Sequence, residues 1–180
     1  MLEIDRCSLV VVDVQEAFRS AIPEFASIVS RISIAIRGFT LLGLPMIVTE
    51  QYPEGLGRTI EELQLALPDK YHLIEKSTFS AWGEQRFRSV LSSLARKQVV
   101  VCGIETHVCI VQTVQDLLAE GFEVHLLTDC VASRYRHDRK AGIQRMVEKG
   151  ITSSSMEMAL FELMGDSRHP RFKDVQALIK

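Results

Sequence analysis

The chain has 180 residues, nearly half of them apolar, with 21 Lys and Arg against 23 Asp and Glu. That suffices for a sizeable core in a single domain spanning 1–180, and it excludes a chain too polar to fold. A net charge near −2 gives no global attraction to nucleic acid or to an anionic membrane.

In chain order, a β-branched run at 8–12 predicts the first strand, and the apolar spacing over 24–42 predicts a helix stopped by Gly43, with Pro45 beyond. Strands follow at 45–49 and 71–75, then a helix over 84–95 and a strand at 98–102. A helix over 106–120 closes at Gly121, a strand covers 123–128, and a helix over 138–149 closes at Gly150. A last strand at 151–154 and helices over 156–164 and 172–179 complete the chain. Strands alternating with helices predict a three-layer α/β/α, doubly wound architecture around a mostly parallel six-stranded sheet. Leu9-Val10-Val11-Val12 and Val99-Val100-Val101-Cys102 are unbroken apolar runs, as expected of central strands covered on both faces. Residues 134–140, rich in Arg and Lys, read as a solvated loop and first helical turn.

The start of the chain lacks a basic segment followed by a long apolar one, so neither a signal peptide nor a membrane span is expected. The four cysteines, Cys7, Cys102, Cys109 and Cys130, form no CxxC pair and no zinc-ligand spacing. A reducing, cytoplasmic setting fits them best.

Ligands of such sheets bind beyond the carboxyl ends of the strands, so polar residues that end the apolar runs are the candidates. Asp13 ends the first run. Partly desolvated there, it suits a proton acceptor, and equally a helix cap. Lys76 ends the third strand, where it could hold a carboxylate ionised or simply face solvent. Phe79 and Trp82 nearby suit an apolar wall or the core. In Gly103-Ile104-Glu105-Thr106-His107-Val108-Cys109, Thr106 is the expected N-cap, which puts Cys109 in a first helical turn. The helix dipole there favours thiolate, and unpaired backbone N–H groups can bind an oxyanion. Cys109 is otherwise a small buried helix residue, as Cys102 within its β run is expected to be. His107 lies two residues from Cys109, too close in helical sequence for a direct pair; it suits the pocket lining or the helix end.

These strand ends, together with Leu127-Thr128-Asp129-Cys130-Val131-Ala132-Ser133-Arg134, resemble the isochorismatase-like cysteine hydrolases, which include nicotinamidases and N-carbamoylsarcosine amidase. The resemblance is greatest to the isochorismatase domain-containing subgroup and implies a catalytic set of Asp13, Lys76 and Cys109. It implies a cis peptide between Ile104 and Glu105, an oxyanion hole from the amides of Glu105 and Cys109, and a thioester intermediate. A substrate pocket is expected from Gln15, Phe18, Tyr52, Phe79, Trp82 and His107. The Thr49-Glu50-Gln51-Tyr52-Pro53 segment lacks the metal-binding histidines of nicotinamidases, so neither metal nor other cofactor is expected. The expected activity is hydrolysis of a small amide or related carbonyl compound by a self-associating protein. The alternative is a non-catalytic small-molecule-binding or redox-sensing protein on the same fold, with a nuclease ranked below both.

Overall fold

The computed structural model describes residues 1–180. Six strands, β1 (Cys7–Val12), β2 (Met46–Gln51), β3 (His72–Lys76), β4 (Gln98–Ile104), β5 (Glu123–Ala132) and β6 (Thr152–Ser154), form one sheet. Their order is β3-β2-β1-β4-β5-β6, with every pair parallel. The two unbroken apolar runs are the neighbours β1 and β4, fully buried at the centre of the sheet.

Helices α1 (Phe25–Leu41), α2 (Pro53–Leu56), α3 (Glu61–Gln64), α4 (Gln85–Ser93), α5 (Val111–Ala119), α6 (Arg136–Glu148), α7 (Met156–Met164) and α8 (Phe172–Ile179) complete the chain. Phe25, Val29, Ile32, Ile36 and Phe39 recur at helical spacing and make the buried stripe of α1. That stripe shares one core with α7 and α8 on one sheet face. Phe87 and Leu91 of α4, Val114 and Leu117 of α5 and Met146 of α6 build the other. Full burial of a side chain such as Ile32 or Phe87 contributes about 1.5–3 kcal/mol. At the end of α1, Gly43 has φ 73 and Leu44 N–H reaches back to Phe39 O at 3.0 Å, a Schellman closure.

The winding reverses between β1 and β4, where the crossovers change sheet face. There Gly103 lies beside Val12 with φ 123, and a Cβ on it would stand 2.1 Å from Val12 O. Two central strands can approach this closely only because residue 103 has no side chain.

The strands outrun their apolar runs. β4 continues to Ile104 and β5 to Ala132, past a register shift between Val101 and Gly103. The polar pair Thr128-Asp129 reads as a strand end, yet both side chains have fixed partners. Thr128 Oγ1 donates to Ser154 O at 3.0 Å, and Asp129 Oδ1 accepts from Met156 N–H at 2.9 Å. The predicted helix over 106–120 is a π-helical turn, Thr106–Ile110, leading into α5.

Candidate active site

Asp13, at the end of β1, has the unusual φ of 53 for a residue with a side chain. Its N–H donates to Thr49 O at 3.1 Å, and its Oδ1 accepts from Thr49 Oγ1 at 2.6 Å. The side chain caps no helix, because the short turn after it has no side-chain cap. Asp13 Oδ2 instead lies 2.7 Å from Lys76 Nζ, and the two side chains are 1% and 0% exposed. The solvent-facing lysine is thus excluded.

The ammonium is crowded with acceptors: Gln51 Oε1 at 2.6 Å, Phe79 O at 3.0 Å and Thr78 O at 3.1 Å. These match its three protons, so the contact with Asp13 Oδ2 is an ion pair without an aligned hydrogen bond. Asp13 Oδ2 accepts no well-aligned hydrogen bond, an uncommon state for a buried carboxylate oxygen.

Cys109 is 7% exposed, in the π-helical turn that follows β4. Its thiol is pushed up to about 12, first by burial and next by the Asp13 charge; Lys76 opposes both. Burial, Asp13 and Lys76 all bear on the thiol, which sets the three groups near one another. This reverses the expectation of a thiolate favoured by the helix start: desolvation and a neighbouring carboxylate outweigh the dipole. Cys102 behaves as expected, buried in the core with its thiol raised by desolvation.

Thr106 is not the expected N-cap. Its Oγ1 donates to Ala132 O at 2.9 Å, tying the nucleophile turn to the end of β5. The Ile104–Glu105 peptide is cis. The Glu105 carboxylate, 6% exposed, accepts from Arg134 N–H at 2.9 Å and from Arg134 Nε at 3.1 Å. Within the basic segment Arg134 is therefore paired, Arg136 pairs with Glu24, and Arg139 donates to Val131 O and Thr128 O.

The expected pocket residues separate into several places. Gln15 is fully buried and clamps the loop after β2: its Nε2 donates to Gln51 O and Gly57 O, and its Oε1 accepts from Gln51 N–H. Both Nε2 protons of Gln15 are thus engaged within the protein, and the side chain is enclosed. Trp82 packs edge-on against Phe87 and Phe122 in the α4–α5 core. Phe18 packs against the α1-side core. His107 turns to β5 and α6, with Nδ1 3.0 Å from Ser133 Oγ and Nε2 3.8 Å from Asp138. It lines a cavity of about 220 Å³ with Val111, Asp138, Ala141, Gly142 and Arg145. Tyr52 and Phe79 are exposed.

Sequence reasoning missed the buried polar residues that hold the set. Glu50 Oε1 accepts from Thr59 N–H at 2.6 Å and from Thr59 Oγ1 at 2.7 Å, and Arg58 pairs with Glu50 Oε2 at 3.0 Å. Ser80 Oγ donates to Asp116 Oδ2 at 2.5 Å, and Ala81 N–H donates to Thr113 Oγ1 at 2.9 Å, so α5 also secures the turn after Lys76. Polar residues continuing the β2 run, Thr49-Glu50-Gln51, were the available signal. No three His, Cys, Asp or Glu side chains converge as a metal site, and no helix is long and apolar enough to cross a membrane.

Residues 7–158 match the Isochorismatase domain family. The chain belongs to the isochorismatase family. It is 42% identical over 168 residues to isochorismatase domain-containing protein 1 of Salmo salar, covering 93% of this chain and 59% of that protein. It therefore spans about three fifths of that relative's length. Isochorismatase domain-containing protein 2 of Danio rerio is 39% identical, with 95% and 85% covered. Among solved structures similar to this isochorismatase-family chain is one described as the MAR1 ribonuclease from Caenorhabditis elegans. Its TM-score is 0.94 at 36% identity, with 99% of this chain and 91% of that one covered.

Proposed function

We propose that the protein hydrolyses a small amide or related carbonyl compound, with Cys109 as nucleophile, Asp13 as proton acceptor and Lys76 as the charge that holds both. The observation that carries this reading is Asp13 Oδ2: buried, without an aligned hydrogen bond, and paired with Lys76 in the surroundings of the thiol. An oxygen so placed can take the thiol proton without first giving up a hydrogen bond.

A thiol held at about 12 rests protonated, so the nucleophile forms only as its proton passes to Asp13. Sulfur then bonds to the carbonyl carbon, and the backbone amides of Glu105 and Cys109 receive the oxyanion. Collapse breaks the C–N bond, and the amine leaves with the proton from Asp13. Water attacks the thioester, giving one proton to Asp13, which returns it to sulfur as the carboxylic product departs. Lys76 is fully enclosed and its protons are occupied, so it serves the reacting pair and not a substrate anion.

Cys109→Ala is expected to abolish turnover of any amide the protein cleaves while the fold survives; retained turnover would end this reading. A protonated resting thiol also argues against a redox sensor, which needs accessible thiolate. A second reading, RNA cleavage, is favoured by the description of the C. elegans structure as a ribonuclease. RNA degraded by the purified protein and spared by Cys109→Ala would place it first.

A further inference from the structure

Lys76 is held by a residue to which neither the sequence motifs nor the family resemblance assigns a role. Gln51 ends β2 opposite Lys76 in the sheet register. Its Oε1 accepts from Nζ at 2.6 Å, and its Nε2 donates to Ser77 O at 2.8 Å, so one amide grips both the ammonium and the turn that follows it. Gln51 is itself immobilised: Gln15 bonds to its N–H and its carbonyl, at 2.8 and 2.9 Å. Two glutamines thereby join the ends of β1, β2 and β3 and set where the positive charge stands.

We infer that Gln51 is the positioning residue of the active site, holding the Lys76 ammonium against Asp13 Oδ2 beside the Cys109 thiol. The inference rests on the cysteine-hydrolase reading above. Its chemistry is simple. The four oxygens around Nζ comprise two main-chain carbonyls, one carboxylate and the Gln51 amide. The amide is the one neutral side-chain acceptor, so it aims the ammonium without competing for its charge. A carboxylate at this position would draw the ammonium from Asp13, and an apolar side chain would let it turn to the carbonyls of Thr78 and Phe79. The other charged groups of this region are occupied elsewhere. Glu84 accepts from Ser77 N–H and Thr78 Oγ1, while Glu75 and Glu50 pair with Arg58.

The test needs no substrate. Iodoacetamide incorporation at Cys109, read by peptide mass spectrometry from pH 6 to 10, measures thiolate supply at that sulfur alone. Internal transfer to Asp13 gives a rate that is level through neutral pH before direct ionisation raises it. Lys76→Met is expected to remove this level region. Gln51→Met and Gln51→Glu are each expected to lower it about tenfold, with the fold retained. A merely structural role has the opposite sign, because a loosened site exposes Cys109 and speeds alkylation. If Lys76→Met loses the level region and both Gln51 variants keep it, the positioning role is overturned and the cysteine-hydrolase reading stands. A wild-type protein without a level region overturns both.

Discussion

Asp13 and Cys109 raise each other's stakes. The carboxylate that is to receive the proton also keeps it on sulfur, since a negative charge beside a thiol disfavours thiolate. Asp13→Asn separates these effects. Losing the charge brings the thiol below its value of about 12, with burial still opposing Lys76, while losing the base removes the internal proton acceptor. Alkylation of Cys109 in this variant is expected to lose its level region at neutral pH and to follow a single titration whose midpoint lies below that of the wild-type ionisation. Hydrolysis is expected to fall by at least about 100-fold, within the usual contribution of a general base. Hydrolysis rising with the greater thiolate fraction would show that Asp13 accepts no proton.

At the level of elements, the site exists because three strand ends meet where the winding reverses, and Gly103 permits that meeting. Gly103→Ala places a Cβ 2.1 Å from Val12 O, a backbone atom of the central strand that cannot swing aside, at φ 123. It is expected to cost about 3 kcal/mol or more in urea denaturation. Gly38→Ala is the control for close packing alone. Its Cβ would stand 2.5 Å from Leu160 Cδ2, on a side chain that can rotate, so a loss of about 1–3 kcal/mol is expected. Equal losses in the two variants would remove the special status of the β1–β4 contact.

The same elements explain what the sequence could disclose. Apolar runs, glycine stops and strand–helix alternation reflect local periodicity and sheet burial, so the six strands and main helices were legible to within a few residues. Asp13 was legible as the polar end of a buried run, whereas Lys76 was legible only as a strand-terminal lysine, because the half-exposed β3 gives no local sign that it is buried. The partners of Gln15, Gln51, Thr106 and His107 were not. Each bonds across the sheet end to a residue at least 25 positions away, and no local pattern encodes such a pairing. The raised thiol was missed for a similar reason: a helix start is visible in sequence, but the enclosure around it is made by other elements.

Across the whole molecule, acid stability should divide between two kinds of titrating group. His125 lies on β5, 4% exposed, with Nδ1 lacking a hydrogen-bond partner. Burial lowers its pKa from the usual 6.5, and the nearby N-terminus adds to this, against Glu162 and Glu123. Folding therefore favours the neutral ring, so its contribution is complete above about pH 6.5 and is lost as the unfolded state gains a proton below that. Glu62, held at about 2 by Arg19, and Glu123, lowered by Gln98 and Arg6, act further down. Their contribution is present above the ordinary carboxylate value near 4.5 and declines as pH falls beneath it. The urea midpoint is thus expected to drop in two stages, the first setting in below about pH 6.5. His125→Gln, which cannot gain that proton, should flatten the first stage and leave the second in place. A first stage that persists unchanged in His125→Gln would assign it to another group.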